Sequence, residues 1–145
     1  MILLALVYLA RLLELGPVEA SLAGARIAGV PGLASELLDI CESESGCTAI
    51  GIHRDGPRVS GREFYRLARA AGWLDDCPAH ALGDGERWGI RGAYGLAAAY
   101  SVRWLGRCVP PEVLDIPLLS AIVTARRLGE LATRYRRRTA QARAH

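Results

Sequence analysis

The chain has 145 residues, 51% of them apolar and 23% charged, which suits one domain with a single core and leaves no room for several. Three Trp, five Tyr and one Phe make that core mainly aliphatic. The formal net charge is only +3, but it is unevenly placed: residues 1–125 hold 11 Arg against 14 acids, while residues 126–145 hold 7 Arg against 1 acid. No interleaved aromatic pattern accompanies these arginines, so a nucleic-acid binder ranks last among the readings.

Met1 to Leu15 is apolar almost all round until Arg11 and Glu14, and Gly16-Pro17 ends it. It is shorter than the roughly 20 apolar residues that span a bilayer. The spacing predicts a helix packed on the core or on a neighbouring subunit, with a membrane contact as the alternative. A secretory signal with Ala23-Gly24-Ala25 as its cleavage site would lack a basic n-region, and whether residues 1–25 are a signal stays open. Pro17, Val18, Leu22 and Ile27 predict a second helix, which Gly29-Val30-Pro31-Gly32 terminates.

Leu33, Leu37, Leu38 and Ile40 fall near helical spacing, predicting a helix over 32–44 that delivers Glu44 to its C-terminal end before Gly46 stops it. A carboxyl there would meet the negative end of the helix dipole and an apolar floor. Both favour the protonated form, as a general acid requires. Thr48 to His53 alternates weakly and predicts a strand, closed by a turn at Asp55-Gly56-Pro57, with His53 either a site residue or a hydrogen-bonded polar group near the core.

Ser60-x-x-Glu63 is a capping box, and Phe64, Leu67, Ala68 and Ala71 form the stripe of a helix that ends at Gly72, with Arg62, Arg66 and Arg69 either a solvated face or the lining of a groove for an anionic polymer. Residues 73–87 are predicted to be a loop, bearing Asp84 and Glu86. Next comes Arg91-Gly92-Ala93-Tyr94-Gly95-Leu96, a glycine-cornered turn whose backbone could approach a ligand closely. Trp88 and Tyr94 are either flat faces for sugar rings or the core aromatics of a plain turn. An Ala-rich helix is predicted from Leu96 to Leu105. After Pro110-Pro111 and Pro117, a long final helix carries Leu118, Leu119, Ile122, Val123, Leu128 and Leu131 and leads into an Arg-rich tail.

Four cysteines, Cys41, Cys47, Cys77 and Cys108, predict two disulfides and an oxidising setting outside the cytosol or on a particle surface. Three pairings exist. Cys47 with Cys77 and Cys41 with Cys108 would staple the 47–90 segment and the acid-bearing helix to the core. The rivals are free buried thiols and zinc held by Cys47, His53, Cys77 and His80.

The run Ile40-x-x-x-Glu44-Ser45-Gly46 followed by Gly92-Ala93-x-Gly95-Leu96 resembles the pattern of soluble lytic transglycosylases and goose-type lysozymes, and Trp88-Gly89-Ile90-Arg91-Gly92 is similar to the goose-type run before that turn. The resemblance covers roughly residues 32–130. Three positions depart from the pattern: Ala98 stands where the family usually has glutamine, Ile90 where goose-type enzymes carry an acid, and no Ala-Tyr-Asn follows.

The resemblance implies a mainly α (α+β lysozyme-like) fold with a small hairpin lining the cleft. It divides the chain into an N-terminal helical segment 1–31, a catalytic domain 32–130 with an insertion at 47–90, and an Arg-rich tail 131–145. It implies cleavage of the β-1,4 bond after N-acetylmuramic acid in peptidoglycan, without cofactor or metal. Glu44 would be the general acid and base, and Ser45, Trp88, Gly92, Tyr94, Gly95, Leu96 and Tyr100 would surround the sugar. Ile90 tilts the mechanism toward a single-acid transglycosylase, unless Glu86 or Asp84 supplies a second carboxylate. The alternative is a lysozyme-like wall-binding or structural component of a virus particle or envelope machine. Other expected partners are an anionic wall polymer or membrane surface at the Arg tail, and assembly partners at the N-terminal apolar helix.

Overall fold

The computed structural model describes residues 4–5, 15–48, 61–83, 85–97, 100, 105 and 108–144, with the backbone alone for residues 61, 64, 86, 96, 97 and 144. The chain is mainly α. Its helices are α1 (Pro17–Ile27), α2 (Ala34–Ser45), α3 (Gly61–Ala70), the short α4 (Ala79–Leu82) and α5 (Pro117–Ala144), with 3₁₀ turns at Pro31–Leu33, Gly85–Trp88 and Pro111–Asp115. Strands β1 (Ile90–Arg91) and β2 (Leu96–Ala97) pair antiparallel, Ile90 opposite Ala97 and Arg91 opposite Leu96, and form a small hairpin.

The core is organised along the first half of α5. Leu118, Leu119 and Ile122 are buried against α1, α2 and Tyr94. Val123 is buried in a second cluster with Leu74, Leu82, Trp88 and Leu114. Each such Leu, Ile or Val contributes about 1.5–3 kcal/mol by leaving water. From Leu131 onward α5 is largely exposed, so the predicted tail is a continuation of the same helix.

Helix α1 starts at Pro17, as expected, and buries its small residues. Ala20, Ser21, Gly24 and Ala25 are its buried residues, while Val18, Leu22 and Ile27 are 49%, 52% and 44% exposed. The reason is the closeness of α5: a Cβ on Gly24 would lie 2.6 Å from the Cβ of Ala121. Helices that cross this tightly meet through small side chains, and the large ones are displaced to the outside.

Both disulfides form, with a pairing different from the one expected. Cys41 is joined to Cys47, Cα atoms 4.6 Å apart, and Cys77 to Cys108, 5.0 Å apart. Six residues of continued helix would separate the first pair by about 9 Å, beyond bridging range. Gly46 and Cys47 take left-handed φ values of 64° and 54°, and this reversal brings Cys47 back over the last turns of α2. The alternative zinc set thereby loses both of its cysteine donors.

Three further expectations are corrected. Within 73–87 the chain forms α4 and the 3₁₀ turn that ends at Trp88, not loop alone. Leu96 lies in β2, so the Ala-rich helix starts later; Tyr100 and Leu105 are helical. In α3 Ala68 is buried, but Leu67 is 50% exposed and Ala71 is also exposed. The strand and turn expected after Thr48, with His53 and Asp55, and the cap residue Ser60 lie outside the described residues. So does most of the N-terminal apolar run, of which Leu4 and Ala5 are helical and Leu4 is 74% exposed.

Candidate functional site

Glu44 enters from the last turn of α2, whose position is fixed by Leu37 and Cys41, both fully buried. Its partner across the site is the turn between β1 and β2, closed by the Gly95 N–H donating to the Gly92 carbonyl at 3.2 Å. Gly95 has φ 60°, and a Cβ built on it would lie 2.8 Å from Glu44 Oε2, 3.1 Å from Cδ and 3.2 Å from Cγ. The carboxyl therefore rests on the bare α-carbon of Gly95. Any side chain there would be strained by its backbone and would displace Glu44.

Ser45 ties the two walls together. Its hydroxyl donates to the Ala93 carbonyl at 2.8 Å, lies 3.1 Å from the Cys41 carbonyl, and accepts the Thr48 N–H at 3.1 Å. Two stretches about 50 residues apart in sequence are thus joined by one hydroxyl and one glycine contact. Glu44 itself is exposed, so the expected apolar floor beneath the carboxyl is replaced by the open surface of the turn.

The opposite corner of the turn is set into the core. A Cβ on Gly92, φ 77°, would collide with the Leu114 carbonyl oxygen and lie 2.8 Å from Ser120 Oγ. Ser120 is fully buried, and its hydroxyl has no hydrogen-bond partner among the described residues. Arg91, 7% exposed, donates from Nε to the Arg87 carbonyl at 3.0 Å and from Nη1 to Asp115 Oδ2 at 2.9 Å. Arg87 makes a two-pronged pair with Glu112, at 2.7 and 2.8 Å. That hydrogen-bonded guanidinium holds the Glu112 carboxyl below its ordinary value, and the same bond raises Arg87. Together these pairs clamp the hairpin to the Pro111–Asp115 turn.

The two aromatics that sequence offered as sugar platforms are core side chains. Trp88 is fully buried and donates its indole N–H to the Leu82 carbonyl at 2.8 Å. Tyr94 is 2% exposed; its hydroxyl shares a hydrogen bond with Ser21 and donates to the Pro17 carbonyl at 3.0 Å. Burial pushes the Tyr94 phenol up, partly offset by the bond to Ser21. Neither ring offers a face to a ligand. Their role is to fix the turn, and the tie from Tyr94 to α1 had no local signal because Ser21 lies 73 residues away.

Tyr100 packs on Trp73, ring centroids 4.9 Å apart, with the Arg127 guanidinium over its ring at 4.9 Å. The Leu96 backbone pairs with Arg91, as above. Asp84 and the Glu86 side chain, the candidates for a second carboxylate, lie outside the described residues. Among the described residues there is no group of three or more His, Cys, Asp or Glu able to hold a metal ion, and no helix is long and apolar enough to cross a membrane.

A large groove, of about 1030 Å³, lies elsewhere, between the residue 28–33 segment and the second half of α5. Leu33 lines it, at the start of α2, whereas Glu44 stands at the other end, roughly 16 Å away along the helix axis. No protein-family model, curated protein or solved structure matches the chain, and the functional reading therefore rests on these residues.

Proposed function

We propose that the chain is a peptidoglycan-cleaving enzyme of the lytic transglycosylase or lysozyme type, with Glu44 as general acid and then base. One observation carries this reading. The Glu-Ser-Gly end of α2 and the Gly-Ala-Tyr-Gly-Leu turn, the two halves of the family-like pattern, meet through the contact of Glu44 with Gly95 and the bond from Ser45 to Ala93.

A sugar chain laid across the turn would bring its glycosidic oxygen to Glu44. Proton transfer from the carboxyl would accompany cleavage of the C1–O bond. The resulting carboxylate would then take the proton of the muramyl C6 hydroxyl as that oxygen bonds to C1, closing an anhydro ring and restoring the acid. The two disulfides agree with an extracytoplasmic or particle-borne setting.

The burial of Trp88 and Tyr94 favours the second reading, a wall-binding or structural component without catalysis. Peptidoglycan zymography separates the two. Wild-type protein clears the gel and leaves anhydro-muramyl ends by mass analysis; Glu44→Gln loses about 10²- to 10⁴-fold in activity with its melting temperature unchanged, and Glu42→Gln keeps most activity. Glu42 is the control because residues two apart on a helix point to nearly opposite faces. No clearing by the oxidised wild type leaves the binding role.

A further inference from the structure

We propose that the groove at the N-terminal end of α2 binds an acidic peptide chain, independently of the catalytic reading of Glu44. Its floor is aliphatic, from Ala28, Val30, Leu33 and Ala132, and its α5 wall presents Arg126, Arg134, Arg136 and Arg137 against one acid, Glu130, a net charge of +3. Glu130 is paired along α5, with Arg134 at 2.5 Å and Arg127 at 3.7 Å, so it offsets one rim arginine and the positive balance of the rim stands. Arg136 and Arg137 are exposed.

Two features select a peptide over other anions. The guanidinium fork matches a carboxylate through two parallel hydrogen bonds, which supplies the charge complementarity. The aliphatic floor fits small apolar side chains set between those carboxylates, and a phosphodiester polymer or a lipid headgroup layer has none to bury there. The arginines extend over twelve residues of α5, from Arg126 to Arg137, a length of about 16 Å that matches about five residues of extended chain. A groove of about 1030 Å³ lies at the upper end of the usual range for bound ligands, so it holds a chain better than a single anion.

The test is fluorescence anisotropy of the full oxidised chain with a labelled peptide of alternating Ala and Glu, at physiological ionic strength. Saturable binding is expected, absent for the same peptide carrying Gln in place of Glu. The double variant Arg136→Gln/Arg137→Gln weakens it at least tenfold. Arg138→Gln/Arg143→Gln removes the same charge from the same helix outside the groove and changes affinity about twofold or less. All four positions are exposed, so unchanged melting temperatures are expected to accompany these results. Ala132→Glu, which places a like charge on the floor, weakens binding as strongly as the groove pair. The proposal fails if both arginine pairs weaken binding equally, if the peptide does not saturate, or if polyphosphate or phosphatidylglycerol vesicles bind more tightly than the peptide with the same dependence on Arg136 and Arg137.

Discussion

At its C-terminal end α2 holds Glu44 and Ser45 against a glycine turn, whereas at its N-terminal end it opens on a wide groove rimmed by the arginines of α5. The first place sets the Glu44 carboxyl against the bare α-carbon of Gly95. The second has volume and charge. The groove and the Glu44 carboxyl therefore lie about the length of one helix apart.

The contrast is broken most forcefully at Gly95. Gly95→Ala keeps Glu44 in the chain but forces its carboxyl off the turn; displacements of about 1 Å at a reacting group cost on the order of a hundredfold in rate. The left-handed backbone adds about 1 kcal/mol of strain. Lysis assays should show the large loss and thermal melts the small one. Equal activity for Gly95→Ala and wild type would mean that the turn does not position Glu44.

Next in size is Tyr94→Phe. It leaves the ring packed but removes the hydroxyl that joins the hairpin to Ser21 and Pro17, and should lower stability by about 1–3 kcal/mol in denaturant unfolding. Binding at the groove should not change, since neither Tyr94 nor Ser21 lines it.

Acid should loosen the hairpin clamp by less. The folded-state value of Glu112 is depressed below its ordinary 4.5 by the Arg87 hydrogen bond, so its stabilisation is present above that pH and is lost as pH falls through the folded value. Glu112 is 43% exposed and solvent screens the pair, so the contribution is roughly 1 kcal/mol or less. Comparing melts of wild type and Glu112→Gln from neutral to acid pH checks this: the difference should vanish at the acid end.

The smallest effect on stability belongs to the end of α5. Cutting after Arg134 removes a segment that is mostly exposed, and the melting temperature should barely move. Binding of anionic polymers should become weaker and less dependent on salt. A large drop in melting temperature would show that the segment packs on the core.

Much of the acid-bearing wall was legible beforehand because its determinants are local. Helical spacing of Leu33, Leu37 and Ile40 with Gly46 as stop placed α2, and two glycines three residues apart marked the turn opposite. The chemistry of Trp88 and Tyr94 was not legible, since the same aromatic residue serves a core or a platform and only its neighbours decide. Likewise the spacing of Val18, Leu22 and Ile27 marked a helix but not the face it buries. The approach of α5 to Gly24, a contact between residues about a hundred positions apart, turned them outward.

Sequence by itself thus determined the mainly helical class, the position of Glu44 at a helix end, the presence of two disulfides and the concentration of positive charge after residue 125. These follow from short-range periodicity, turn residues and composition. Only the tertiary structure decided which sulfurs pair, which aromatics are sealed in the core, and that the arginines face an aliphatic groove, because each depends on where distant segments meet. The pairing of Cys41 with Cys47 is the clearest case. Its separation of six residues is too long for a helix to bridge, and a left-handed reversal at Gly46 and Cys47 makes it short.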